Sequence, residues 1–471
     1  MSPQPPKSCL RVSGTDIVDA DGNRIILKGC ATGGHTNMEN FITGFPGYEH
    51  EMRVALLEAM GREKYDFFFD KFLEYFFTVE DAKFLASLGL NCVRVPMNHR
   101  HFIDGRNPSV IKPEGFRLLD RIIGACSSQG LYTIIDMHTF PGGQNHGWHC
   151  DSGVNKPLFW EYKDLQDRMV SLWVEIAKYY KGNTWVAGYN PMNEPADAEQ
   201  DQLQLFYARI EKAIREVDPD HILFLDGNTY AMDFTAFKEV LPNCVYAIHD
   251  YATMGFPGGV PYVGTEEQNR QLERQYERKV KFMKERNVPI WNGEFGPVYA
   301  NESEEGYQAI NDQRYRLLGQ QLSIYKRDQI SWSIWLYKDI GFQGMVYSRP
   351  DSAYMTTLRP WLEKKRRLGL DRWGRDDSQV AHIYQPVIDH FRAEIPGWIE
   401  KSLYPPHWTL ETRVHMQLRD ILLSGILTRE YASYFAGKSF EELDAIAASF
   451  KLDNCVKRGG LNDILRADAG L

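Results

Sequence analysis

Short apolar runs rich in β-branched and aromatic residues recur along the chain, each followed by a longer stretch with helical spacing. They are I-I-L-K-G-C (25–30), N-C-V-R-V-P (91–96), Y-T-I-I-D-M-H (132–138) and V-A-G-Y-N-P-M-N-E (186–194), then I-L-F-L-D-G (222–227), V-Y-A-I-H-D-Y (245–251), P-I-W-N-G-E-F-G (289–296) and S-W-S-I-W-L-Y-K-D (331–339). Helices are predicted between them over 79–89, 113–129, 157–181, 201–216, 266–286 and 304–326. In the first of these, Ala82, Leu85, Ala86 and Gly89 share one face, and Gly89 is placed to end it. Eight strands alternating with helices imply parallel pairing and an α/β fold, a (β/α)8 TIM barrel. A doubly wound open sheet is the competing architecture, but no G-x-G-x-x-G follows the first strand.

Ahead of the barrel, residues 10–27 read as an N-terminal β-hairpin turning at Asp21-Gly22-Asn23, placed as a lid on the barrel floor. Long insertions follow the first strand (31–78) and the eighth (340–376), and both project from the C-terminal face. The expected division is a catalytic domain over 1–395 and a C-terminal helical extension over 396–471 packed on the barrel. Within the extension, Ser439 to Glu442 forms a capping box, and Leu443, Ile446, Ala447 and Phe450 fall on one face.

The net charge of −9 argues against nucleic acid as a partner, which would need a basic face. No apolar run is long enough to span a membrane. The first ten residues lack the apolar core of a secretory leader, so a cytoplasmic location is expected. Seven scattered cysteines without C-x-x-C fit free thiols. Aromatic residues make up 13% of the chain, which suits stacking on sugar faces and equally suits a large core. A monomer is expected.

In a barrel, chemistry collects where the strands end at the C-terminal face. Those ends carry Arg94, His138, Asn193 with Glu194, His249 with Tyr251, Glu294, and Trp335 with Lys338. Each has an ordinary structural explanation alone; their clustering points to a site. Two carboxylates at the tips of strands four and seven are the working parts of a glycosidase, and their separation decides between retention and inversion.

The motifs R-V-P (94–96), D-M-H (136–138), N-E-P (193–195), H-D-Y (249–251), G-E-F-G (293–296) and W-L-Y-K (335–338), in this order, resemble glycoside hydrolase family 5 over roughly residues 10–395. The resemblance implies a retaining glycosidase with Glu194 as acid/base and Glu294 as nucleophile. It also implies Asn193 on the sugar 2-hydroxyl, Arg94 and Tyr251 tuning Glu294, His138 and His249 lining the first subsite, and Trp335 as its stacking floor. No cofactor and no metal are implied.

The loop G-G-H-T-N-M-E-N-F-I (33–42), with Glu39, resembles that of the family's exo-β-1,3-glucanases, as does D-M-H-T-F-P-G-G-Q-N (136–145). A carboxylate such as Glu39 recognises a chain end through adjacent hydroxyls. His35 stands where that group carries Trp, and Asn98-His99-Arg100 and H-G-W-H-C-D (146–151) also depart from it, leaving the sugar open. His35, Asn145, His146, Trp148 and Lys338 join the substrate-binding candidates. The chain also resembles intracellular fungal members that remove single xylose or glucose units. The expectation is therefore an exo-acting β-xylosidase or β-glucosidase on a small carbohydrate substrate. Alternatives are an exo-β-1,3-glucanase, a ceramide-glycoside hydrolase, a non-catalytic sugar-binding barrel, and a metal site at His146, His149, Cys150 and Asp151.

Overall fold

A computed structural model of the chain describes residues 3–370, 373 and 377–471. Eight parallel strands close into a barrel: β1 (Lys28–Ala31), β2 (Cys92–Met97), β3 (Tyr132–Met137), β4 (Val186–Asn190), β5 (Ile222–Asp226), β6 (Cys244–His249), β7 (Ile290–Glu294) and β8 (Ser331–Ile334). Each strand pairs with its sequence neighbours, and β8 closes on β1. The helices form as expected. Val79–Ser87 opens on a Thr78–Asp81 capping box, and Gly89 beyond it takes the left-handed φ of +77°. Glu114–Ser127 buries Phe116, Leu119, Ile122, Ile123 and Cys126 against the strands.

The barrel floor is closed from inside. Leu10, Ile17 and Leu27 pack with the inward-facing Cys92, Ile134, Phe224, Val245 and Trp291. The hairpin differs in one respect: Arg11–Ser13 pairs with Asp16–Val18 around Gly14, and the turn through Gly22 is closed by a single bridge from Val18 to Arg24. Strand β4 ends at Asn190, four residues before Glu194, because Pro191 has no N–H to give the ladder. Residues 191–194 continue past the strand, with Asn193 N–H still donating to Met137 O of β3 at 3.1 Å.

The first-strand insertion carries helices Glu49–Met60 and Arg62–Phe76. Their apolar faces share one core with Tyr354, Leu358 and Trp361 of the eighth-strand insertion and with Tyr431, Phe435, Leu443, Ile446 and Phe450 of the extension. The predicted capping box of Phe440–Ala448 is present, Ser439 accepting from Glu442 N–H at 3.2 Å. The extension is not wholly helical: Cys455–Lys457 pairs antiparallel with Val346–Ser348. Among the described residues no helix is long and apolar enough to cross a membrane.

Candidate active site

At the C-terminal mouth the strand ends converge on two carboxylates. Glu294 closes β7, and its oxygens are held separately. Arg94 Nη1 donates to Oε1 at 2.5 Å and Tyr251 Oη donates to Oε2 at 2.9 Å. The Arg94 guanidinium is fully buried and spreads over Asn190, Asn193 and Asp136, so its position is over-determined. Those carboxylates hold it charged despite burial. Asn193 Oδ1 accepts from Arg94 Nη2 at 2.7 Å, so its amide Nδ2 is the donor side, 3.3 Å from His138 Nε2.

Glu194 sits in a left-handed backbone conformation at φ +45°, unusual for a residue with a side chain. Both its peptide groups are tied down: its N–H donates to Asp226 Oδ2 at 2.9 Å, and Asn145 Nδ2 donates to its carbonyl at 2.8 Å. The side chain is 14% exposed, with His249 Nδ1 2.7 Å from Oε1 and His149 Nε2 3.2 Å from Oε2. Asn145 also presents Nδ2 to His149 Nε2 at 2.7 Å while its Oδ1 accepts the Gly147 N–H. Burial works to raise the Glu194 pKa, but the imidazoles of His149 and His249 outweigh it and hold the carboxylate below its usual range. His249 itself lies above the usual histidine value: burial opposes its charge, but Glu294 and Glu194 favour it.

A bulge aims these groups. Ile248 pairs with Asn292 and His249 with Glu294, leaving Gly293 as the extra residue. A Cβ on Gly293 would stand 3.0 Å from His249 Nε2, so glycine lets the imidazole lie flat against β7.

Opposite, His138 stacks on Trp335 at 5.4 Å between ring centroids, the planes 10° apart. Its Nδ1 meets Asp136 Oδ2 at 2.7 Å and its Nε2 lies 3.5 Å from Glu39 Oε1. Against the cost of burial, Asp136 and then Glu39 raise its pKa to about 10. Gly33 lets Trp335 approach the first-strand loop, where any Cβ would come within 2.6 Å of the indole. Glu39, Arg94, Asn145, His138, Asn193, Glu194, His249, Tyr251, Glu294 and Trp335 thus form one cluster. Trp148 packs behind Trp335 with Phe41 and Tyr48. His146 lies to the Glu194 side, edge-on to Trp408 at 5.6 Å.

Two of the predicted substrate-binding residues are set apart from this cluster. His35 is fully buried, with Nε2 2.8 Å from Leu73 O and its ring stacked on Phe76; burial lowers its pKa to about 3. Lys338 is also fully buried, and its Nζ donates to Asp81 Oδ1, Phe76 O and Phe450 O, each at 2.7 Å. Lys338 joins the barrel to the first insertion and the extension, whereas His35 is buried within the first insertion itself. The residues weighed as zinc ligands also diverge. His149 faces Glu194, Cys150 donates to Gly147 O, and Asp151 pairs with His50 and Arg100. Among the described residues, one set of three potential ligands converges, Glu194, His249 and Glu294, whose ligand atoms lie within 4.8 Å of one another. The Arg94 guanidinium bonded to Glu294 would repel a cation there.

The sequence reading missed Asp226, Asn190 and Trp373, and named His149 in the cluster weighed as a metal site. Asp226 ends β5 as the last letter of the run I-L-F-L-D, so its strand-end position was a usable signal. Burial raises its pKa to about 6, against the pull of His249 and Arg94. Trp373 comes from the second insertion and meets Tyr251 edge-on at 5.1 Å, a contact with no sequence pattern behind it.

Residues 72–341 match the sequence profile of the cellulase family, glycosyl hydrolase family 5. A β-xylosidase of Phanerodontia chrysosporium is 55% identical over 469 residues, 98% of each chain. A probable glucan 1,3-beta-glucosidase A of Aspergillus clavatus is 26% identical over 262 residues, 52% of this chain and 59% of its own. Among solved structures, an endogalactoceramidase aligns with a TM-score of 0.51 at 16% identity, covering 70% of this chain and 75% of its own, a likeness of fold. The ordered strand-end motifs, the closed barrel and these matches lead to one assignment: the chain belongs to glycoside hydrolase family 5.

Proposed function

We propose that this chain is a retaining, exo-acting β-xylosidase that releases single xylose units from the ends of short β-linked oligosaccharides or glycosides. The observation that carries the sugar is the 55% identity to a β-xylosidase across 98% of both chains, insertions and extension included. Exo action is supported by enclosure. Glu294 is 5% exposed, His138 1% and Trp335 2%, and Glu39 closes the far side, so the site suits one terminal ring better than a through-running polymer.

In this reading the Glu294 carboxylate attacks the anomeric carbon while Glu194 gives its proton to the departing glycosidic oxygen. Arg94 and Tyr251 steady the charge on Glu294 until the bond forms. Asn193 Nδ2 donates to the sugar 2-hydroxyl, a bond that strengthens as the ring gains oxocarbenium character. Glu39 and His138 take the hydroxyls at the far end, over the Trp335 floor. Glu194 then removes a proton from water, which attacks the same carbon and frees Glu294. After Glu294 becomes a neutral ester, His249 Nδ1, 3.7 Å from its Oε2, loses one of the charges that favour its proton, which eases the change of Glu194 from acid to base.

The test is a panel of aryl β-xyloside, β-glucoside, β-mannoside and β-galactoside, followed by matched disaccharides. The β-xyloside should give the highest kcat/KM, and a clear preference for any other sugar would overturn the assignment. The exo-β-1,3-glucanase reading rests on a 26% match to about half the chain and is the weaker one.

A further inference from the structure

We propose that the segment Tyr404–Trp408 of the C-terminal extension builds, with Tyr230, an aromatic wall that receives the leaving group, a second sugar ring or an aryl group. The inference rests on Glu194 being the acid, because the acid marks the side on which the leaving group departs.

The first observation is a strained backbone. Thr229, Tyr230 and Ala231 follow one another at φ +55°, +61° and +58°, three consecutive left-handed residues without a glycine. Such strain persists only where the surroundings over-determine it. Here the C-terminal extension supplies part of that support. Tyr404 Oη lies 3.0 Å from Thr229 Oγ1 and 3.2 Å from Asn228 Oδ1. Arg413 in turn donates to the carbonyls of Tyr404 and Pro405, each at 3.2 Å.

The second observation is where the strained turn points. Tyr230 N–H donates to Pro195 O at 3.1 Å, one residue beyond Glu194. Its ring lies 6.2 Å from that of His149, which touches Glu194 Oε2. Trp408 stacks on Tyr230 at 6.0 Å with the planes 22° apart, and the exposed His407 meets it edge-on at 5.6 Å. Tyr230, His407 and Trp408 therefore stand on the Glu194 side of the mouth, whereas Tyr251, Phe256 and Trp373 stand on the Glu294 side. Residues 404–408 lie beyond the stretch that matches the family profile, which ends at 341, so this wall is an addition to the shared barrel. A ring-shaped leaving group meets it through C–H and π contacts, and His407 can bond one of its hydroxyls.

The experiment compares kcat/KM for a disaccharide and an aryl glycoside with that for the glycosyl fluoride of the same sugar, whose leaving group neither reaches the wall nor needs an acid. His407→Ala is the primary variant because the side chain is exposed, and Tyr230→Leu is the second, with Tm recorded for both. The expected result is a loss of about fivefold or more on the ring-bearing substrates relative to the fluoride. Equal losses on all three substrates, or no loss on any, would overturn the proposal. Glu194→Ala is run alongside. If it fails to spare the fluoride, the acid assignment falls. If it spares the fluoride while His407→Ala shows no dependence on the leaving group, only the wall falls.

Discussion

A carboxylate oxygen of Glu194 and one of Glu294 lie within 4.8 Å of each other. Inverting enzymes keep their carboxyl groups about 6.5–9.5 Å apart to seat a water between them, whereas retaining enzymes hold them at about 5–5.5 Å. The spacing of this pair falls with the retaining class rather than the inverting one. The first-formed product of a β-glycoside should accordingly be the β-anomer, read by proton NMR before mutarotation, and Glu294→Gln should remove nearly all turnover while keeping the fold. An α-anomer formed first, or a Glu294→Gln enzyme with near-normal rates on several aryl β-glycosides, would sink the double-displacement reading.

The 2.7 Å contact between His249 Nδ1 and Glu194 Oε1 makes one proton common property of the two residues. Glu194 is held below the usual carboxylate range and His249 above the usual histidine value, so in the free site that proton rests on the imidazole. The acid step needs the pair protonated. Activity should therefore fall on the alkaline side as the pair empties, at a pH above the ordinary histidine value of about 6.5. In His249→Gln the limb should move to lower pH, because Glu194 then carries the proton with His149 alone beside it. A kcat/KM profile whose alkaline limb is the same in both enzymes would remove His249 from the proton's path.

Histidines also set the fold's tolerance of acid. Burial, helped by nearby arginines, lowers His35, His99 and His101 to about 3 and His146 to about 4. All four are neutral in the folded chain, while the unfolded chain takes up their protons below about 6.5. The unfolded state then binds more protons, so stability falls as pH drops from about 6.5 toward 3. His138 has the opposite sign. Raised to about 10, its contribution is complete below about 6.5 and is lost as pH climbs through its folded value. Thermal unfolding should thus peak near neutrality, and His35→Phe should flatten the acid slope while keeping the stack on Phe76. An unchanged acid slope in that variant would show that His35 is not part of it.

The barrel and the convergence of Glu194 and Glu294 at its mouth were legible because both follow local rules. Strand and helix periods alternate, and a carboxylate after a strand has few places to go but the mouth. What could not be read was the use made of long-range contacts. Lys338 and Trp335 are three residues apart at the same strand end, yet one floor is stacked on His138 and the other amine is bonded to Asp81 and Phe450. Only the fold of the first insertion and the extension separates them. Tyr230 and Trp373 were missed for the same reason: a left-handed turn and a distant insertion deliver them, and neither leaves a periodic signature. Pro191, which ends β4, lies inside the run 186–194 taken as strand, and its missing N–H was readable in principle.

Lys338 offers a direct contrast between a residue that binds sugar and one that holds the site together. Its ammonium ties Asp81, at the start of the helix Val79–Ser87, to carbonyls of the first insertion and of the extension. Asp81 is fully buried, and Tyr337 Oη is its other side-chain partner beside Thr78. Lys338→Met removes the cation and strands a buried carboxylate, a change that costs about 3–5 kcal/mol in comparable buried pairs. The expected phenotype is a fall in Tm and in denaturant midpoint, with KM near wild type for the protein that remains folded. A variant with an unchanged midpoint and a KM raised tenfold would return Lys338 to the substrate.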